Sequence, residues 1–403
     1  MTAAPTTPAK APAPAPATAH KKVDLQQYGI MLALAIIVIL FEVLTGGRLL
    51  MADNVASLLQ QNAYVIILAL GMLMIIIAGH IDLSVGSVVA FLGGIMAIAM
   101  IHWNMPWPVA CLIGILAGLL VGAWQGFWVA YWGIPGFIVT LAGMLLFRGL
   151  AIVIVGETIA GFPNGFVQVA NGGILGWFGF MGQLDVFTLV LGVLAAAAFV
   201  FTQIRARQRL ISHGLVTEPQ GLFWGKLIAI TVLVLAFGWI LSLSSIGTPF
   251  VLVICAILVL GYSFVMGNTV FGRNIYAIGG NIAAARLSGI DVRKSHFLMY
   301  VNMGFLTAIA AIVTTSRSGA AVAAAGQNYE LDAIAACFIG GAAVSGGVGR
   351  VSGTIIGALV MGVLNMGLSI MAVDAAWQQA IKGLVLLAAV AFDLLQKRRG
   401  GTA

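Results

Sequence analysis

The feature that most limits what this chain can fold into is a succession of apolar runs, each about as long as a bilayer is thick. They cover roughly residues 29 to 45, 62 to 79, 83 to 101, 108 to 131, 136 to 155, 184 to 203, 226 to 243, 249 to 267, 297 to 316, 331 to 344, 351 to 371 and 377 to 394. A helix rises 1.5 Å per residue, so the seventeen residues of the first run nearly match a ~30 Å hydrocarbon core. The chain reads as an all-α polytopic membrane protein of about twelve spans. The run at 331 to 344 is short for a span and the break at 79 to 83 is abrupt. Each fits a broken or re-entrant helix packed inside protein.

Composition agrees. Only 8% of the residues are charged and 61% are hydrophobic, whereas about a quarter of a soluble protein is charged. Fifty-one glycines against 11 prolines fit closely packed membrane helices. Cys111, Cys255 and Cys337 fall inside apolar runs at unrelated spacings, which fits buried thiols and supports neither a disulfide nor a metal site. Residues 1 to 22, rich in Ala, Pro and Thr, bury too little to fold and read as a disordered tail. No small-residue cleavage pattern follows the first run, so it reads as an uncleaved span. Residues 23 to 403 then form a single transmembrane domain, since no later polar stretch is long enough for a core of its own.

The net charge of +7 raises the question of nucleic acid. Its distribution answers otherwise. With twelve spans and a cytoplasmic N-terminus, 15 of the 19 Lys and Arg residues lie inside; Arg48 and Arg317 lie outside, and Arg148 and Lys382 lie within spans. Shifting the count by one span before residue 204 would put the Arg205 to Lys226 cluster on the wrong side. Both termini are therefore expected in the cytoplasm of a multi-pass membrane protein, with the lipid bilayer as partner and no nucleic acid.

The same orientation places residues 272 to 296, GRNIYAIGGNIAAARLSGIDVRKSH, in the cytoplasm. They carry Arg273, Arg286, Arg293 and Lys294 against the single acid Asp291. The middle reads as a short helix: Asn281 caps it, Ala283 to Leu287 are good formers, and Gly289 supplies a left-handed stop. A docking element and an ordinary basic loop both fit.

Four stretches carry a resemblance: IYAIGGNIAAARLSGI, AGHIDLSVGSVVAFLGG (residues 78 to 94), IVTLAGMLLFRG (138 to 149) and YELDAIAACFIGGAAVSGGVG (329 to 349). Together they resemble the ribose, arabinose and xylose branch of bacterial ABC-importer permeases, with the xylose-type members the nearer, over about Leu50 to Lys397. The resemblance implies a transport subunit of the bacterial inner membrane that is not itself an enzyme, pairs with a second copy of itself, and translocates a monosaccharide, with D-xylose the first choice. It implies a separate ABC ATPase that holds ATP and Mg and grips Arg286, Leu287, Ser288, Gly289 and Ile290, and a periplasmic sugar-binding protein on the outer face. No cofactor is then bound by this chain. The resemblance also implies a ten-span core, with the insertion at about 156 to 247 supplying two further spans.

The two halves of the chain look related. A span leads into IDLSVGSVVAFLGG, a glycine-spaced span and IVTLAGMLLF; later a span leads into ELDAIAACFIGG, a glycine-spaced span and AIKGLVLLAAVAF. The units, about 54 to 155 and 297 to 394, start at spans of opposite parity, which makes them inverted repeats with a pathway expected where they meet. Chance likeness between apolar segments is the other reading.

Gly114, Gly118, Gly122 and Gly126 recur every fourth residue and make a smooth helix face for close packing, as do Gly353 and Gly357. Asp82 with Ser84, and Glu330 with Asp332, stand at helix starts, where free N–H groups and the helix dipole favour a carboxylate. Capping and lining a pathway at the ends of broken helices both fit. Arg148 lies deep in a span and needs a partner. Lys382, near Trp377, Gln378 and Gln379, fits snorkelling at the outer end of the last span. Asn365 fits either hydroxyl binding or a hydrogen bond between helices, and Gln125 occupies a comparable place in the first unit.

There is no GxxxxGK[ST] to cradle ATP, no HExxH and no Cys cluster, so neither a catalytic nor a metal site is expected. The acids sit at span ends or in loops, which weighs against a proton-coupled sugar carrier, the main alternative to an ATP-driven one. Arabinose, galactose or ribose would fit the chain as well as xylose.

Overall fold

The computed structural model describes residues 25–215 and 218–400; the expected tail at residues 1–22 lies outside them. The first half runs through α1 (Leu25–Leu44), α2 (Ala52–Ile77), α3 (Val85–Ile101), α4 (Trp107–Ala130) and α5 (Gly136–Val155). Next come β1 (Ile159–Ala160), α6 (Asn164–Asn171), β2 (Gly173–Ile174), β3 (Phe180–Met181), β4 (Leu184–Asp185), α7 (Val186–Ser212), α8 (Gln220–Ser242) and β5 (Thr248–Pro249). The second half holds α9 (Phe250–Asn268), α10 (Val270–Gly280), α11 (Ile282–Leu287), α12 (Val292–Ser318), β6 (Ala320–Ala321), α13 (Tyr329–Ile339), α14 (Val351–Ile370) and α15 (Ala375–Gly400).

Eight described helices are long and apolar enough to cross a membrane, and three shorter apolar stretches lie in α1, α3 and α15. The strands are two-residue antiparallel pairs, β1 with β6, β2 with β5 and β3 with β4, which pin loops together and form no closed sheet. This is an all-α polytopic membrane protein.

The core is built on α2, whose side chains from Ala63 to Ile77 are nearly all buried, and which packs against α12, α14, α13 and α9. The most extensive pairing is α4 with α12. There Gly118 faces the Gly304 carbonyl, so that a Cβ on Gly118 would stand 2.6 Å from that oxygen. Only glycine allows two helix backbones to approach so closely. By contrast α7 and α8 pack mainly on each other, with few buried residues.

Two helices begin after non-helical chain inside the bundle. Residues 78–84 separate α2 from α3, and residues 319–328 lead into α13 with only the short strand β6 within them. The expected run at 331 to 344 forms only α13, eleven residues long. At about 1.5 Å per residue it is too short to cross a ~30 Å core. Gly341, Gly346 and Gly347, at φ +86°, +78° and +74°, break the helix pattern and turn the chain back. The turn ends against α2, where the Gly347 N–H donates to the Ile77 carbonyl at 2.8 Å.

Candidate functional site

The polar connection contains more helix than its composition implies. α10 starts before residue 272, and α12 begins at Val292, within the stretch read as a connection. Between them α11 is as short as expected. Asn281 accepts the Ala284 N–H at 3.0 Å, Ser288 Oγ donates to the Ala284 carbonyl at 2.9 Å, and Gly289 turns the chain at φ +82°. On the inner side Ala285 and Ile290 pack with Ile278 and Val292. On the outer side Arg286 and Ser288 are exposed and Leu287 is 90% exposed. An apolar side chain on a rigid, basic protrusion is a surface shaped for contact with another protein. α10 anchors the protrusion through Tyr276, whose hydroxyl donates to the Gly349 carbonyl at 2.8 Å. Burial holds the Tyr276 phenol above its ordinary range, with Arg350 opposing, so it remains a donor.

At the break between α2 and α3, three residues named from the sequence come together. Asp82 Oδ1 accepts the Ser84 N–H at 2.8 Å and the Ser84 hydroxyl at 2.6 Å, and Ser84 Oγ accepts from Gln125 Nε2 at 2.6 Å. Asp82, Ser84 and Gln125 are all buried. The chain of bonds satisfies a turn that has no helix of its own to do so.

The segment before α13 is held differently. Arg148 Nη1 donates to the carbonyls of Ala323 and Ala325, each at 2.7 Å. These are the partners the arginine needs in a span, and they satisfy main-chain oxygens of a non-helical stretch at the same time. The segment ends at Asn328, left-handed at φ +65°, with no side-chain cap on α13. Just before it, Gly326 abuts Gly86 in the first turn of α3, each backbone lying where a Cβ on the other would go. Glu330 reaches the same place, its carboxylate against Gly86 and within electrostatic range of Arg148, Asp332 and Asp82.

Asp332 does not cap α13. It is buried, and its Oδ2 accepts from the Tyr64 hydroxyl at 2.5 Å and from Lys382 Nζ at 3.3 Å, while Oδ1 has no partner. Lys382 is therefore paired across helices, where snorkelling was expected; the α13–α15 contact brings its Nζ to the Asp332 carboxylate at 3.3 Å. Tyr64 also stacks on Tyr329, with ring centroids 3.6 Å apart. Asn365 lies apart from the Asp82 group and donates to Asn62 Oδ1 at 2.9 Å, joining α14 to α2. Of the glycine stripe, Gly114 faces Met96 of α3, and Gly118, Gly122 and Gly126 face the backbone or side chains of α12 at Gly304, Tyr300 and Phe297.

Sequence reasoning missed Tyr64 and Asn62. The signal was the polar cluster Gln60, Gln61, Asn62 and Tyr64 at the head of an apolar run. Among the described residues no group of His, Cys, Asp and Glu could hold a metal.

Broken helices, main chain satisfied by buried side chains, and an exposed basic turn at α11 are the features of a polytopic membrane protein with polar breaks inside its bundle. Residues 54–390 match the family described as the branched-chain amino acid transport system / permease component, and the chain belongs to this family. The chain is 42% identical over 382 residues to the xylose transport system permease protein XylH of Haemophilus influenzae, covering 94% of this chain and 99% of that one. Identity to XylH of Escherichia coli K12 is 41% over 380 residues, 94% of each chain. The ribose import permease protein RbsC of Bacillus subtilis is 34% identical over 372 residues, 92% of this chain and 93% of its own. No solved structure matches the chain.

Proposed function

We propose that this chain is the transmembrane permease subunit of an ATP-driven importer that carries a monosaccharide, D-xylose first among candidates, across the bacterial inner membrane. The observation that carries this reading is identity above 40% to xylose permeases over 94% of the chain. In this reading the chain has about twelve membrane segments: the eight long helices, the three shorter apolar ones and α13, which reaches across only together with the non-helical chain at 319–328 that leads into it. Two inverted repeats, about 54–155 and 297–394, flank the insertion at 156–247. Their broken helices α3 and α13 abut through Gly86 and Gly326, which supports a pathway between the repeats. Asp82, Ser84, Gln125, Asp332 and Asn365 are the candidates to line it, being buried or half-buried polar groups near its middle.

The α10–α11 end then faces the cytoplasm, as the Lys and Arg distribution favours. There an ABC ATPase, with its own ATP and Mg, would grip Arg286, Leu287, Ser288, Gly289 and Ile290, while a sugar-binding protein docks on the other face and a second copy completes the pair. Closure of the ATPase pair would move α11, and the Tyr276 and Gly347 bonds would pass that motion to α2.

Labelled D-xylose uptake in cells with and without the chain tests the reading. Uptake should survive an uncoupler and vanish when ATP is depleted with the proton gradient spared; the opposite pattern would mean a coupled carrier. Gly289→Asp places a side chain at φ +82°, costing about 1 kcal/mol, and a charge in the docking surface. Uptake should be abolished with normal amounts of permease in the membrane, and full uptake would remove α11 from the mechanism.

A further inference from the structure

A polar cavity beside α11 shares only Arg286 with the surface assigned to the ATPase. It has a volume of 340 Å³, lies between the α4–α5 turn and the start of α12, and is lined by His80, Tyr131, Trp132, Arg286, Arg293 and His296 among others. His296 is 8% exposed and its Nε2 has no hydrogen-bond partner. The His80 ring meets it edge-on, with centroids 4.7 Å apart. A buried ring nitrogen left without a partner is costly and marks a missing ligand or water. Arg286 and Arg293 are exposed at the rim. The nearby acid, Asp291, already accepts the Lys294 N–H at 2.9 Å in capping α12. The cavity thus sets two guanidinium groups and an unpartnered ring nitrogen beside apolar residues such as Val129, Ile134 and Val292, which suits an anion with an apolar body.

The surroundings say which kind. Tyr131 and Trp132 are exposed at the turn, the place where such rings settle at a membrane surface. The turn joins two helices whose outer faces are apolar, with Leu116, Leu120 and Phe127 exposed on α4 and Leu141 and Leu145 on α5. A free anion has no use for those faces, whereas acyl chains would lie along them. We propose that the cavity holds the phosphate headgroup of an anionic phospholipid, with Arg293 and Arg286 as its charged contacts and the His296 ring, in its Nε2-protonated tautomer, as a buried donor. Basic pockets between membrane helices on the cytoplasmic side favour such headgroups.

Arg293 is the residue to change, because it is exposed and lies outside the proposed ATPase-docking set. Permease would be reconstituted in phosphatidylcholine nanodiscs with and without phosphatidylglycerol, and retained lipid counted by native mass spectrometry after transfer to detergent. The wild type should retain phosphatidylglycerol over phosphatidylcholine. Arg293→Gln should lower that preference about fivefold, the worth of one cation near an anionic surface, and Arg293→Lys should keep most of it. No preference in the wild type, or an undiminished one in Arg293→Gln, overturns the proposal. Inorganic phosphate that raises the thermal unfolding temperature in detergent as far as phosphatidylglycerol does would also overturn it, by marking a site for free anions.

Discussion

The starts of α3 and α13 solve the same problem in opposite ways. Each follows non-helical chain inside the bundle, and the two touch at Gly86 and Gly326. At α3 the polar groups close on one another: Asp82 takes two donors from Ser84, and Ser84 takes one from Gln125. At α13 they reach outward, Arg148 to the carbonyls before the helix and Asp332 to Tyr64 and Lys382 on other helices. The first arrangement involves one other helix, α4, and is neutral apart from Asp82. The second ties three other helices, α5, α2 and α15, to one short helix and the chain before it, and leaves a carboxylate oxygen unpaired. A start fixed through long-range pairs moves when its partners move, so the α13 side is the more responsive half of the junction.

The largest expected effect comes from breaking that responsive half. Asp332→Ala strands Lys382 without its counter-charge and should cost about 3–5 kcal/mol, as breaking buried pairs does; thermal unfolding in detergent measures it. Asp332→Asn with Lys382→Met removes both charges and should recover most of the loss. If the double variant is as unstable as Asp332→Ala, the pair is not what holds α15 to α13.

Arg148→Gln should have an intermediate effect, about 2 kcal/mol for the charge-assisted bonds lost. It should also raise amide exchange in residues 320–328. Unchanged exchange would mean that the segment is held by other contacts.

The smallest effect is expected on the α3 side. Asp82→Ala should cost about 1 kcal/mol, the usual worth of a capping group, and Asp82→Asn almost nothing. Transport separates the two roles. If Asp82→Asn transports normally, the residue caps; if uptake falls while stability holds, the carboxylate acts in the pathway and the two starts are more alike than their hydrogen bonds imply.

Much of the helical plan was legible because apolar length and glycine position are local signals. The cap at Asn281 and the stop at Gly289 could be read within ten residues of sequence. The shortness of α13 was half visible, in a run that later glycines cut. What the sequence hid was pairing over distance. Lys382 lies 50 residues from Asp332, and Asn365 lies 303 from Asn62, with no spacing to join them. The partners of Arg148 are main-chain oxygens, which leave no mark in a sequence at all. α10 was obscured by Gly272, Gly279 and Gly280, which read as loop; Gly272 and Gly279 are needed because neighbouring backbone fills the space of a side chain.

The grip of Arg148 on Ala323 and Ala325 has a consequence for redesign. Because the arginine holds backbone oxygens, any residue that keeps the same chain path can replace either alanine without loosening the hold. The path of that segment is therefore fixed independently of the side chains at 323 and 325, and the two positions are free to vary in chemistry while the frame stays fixed.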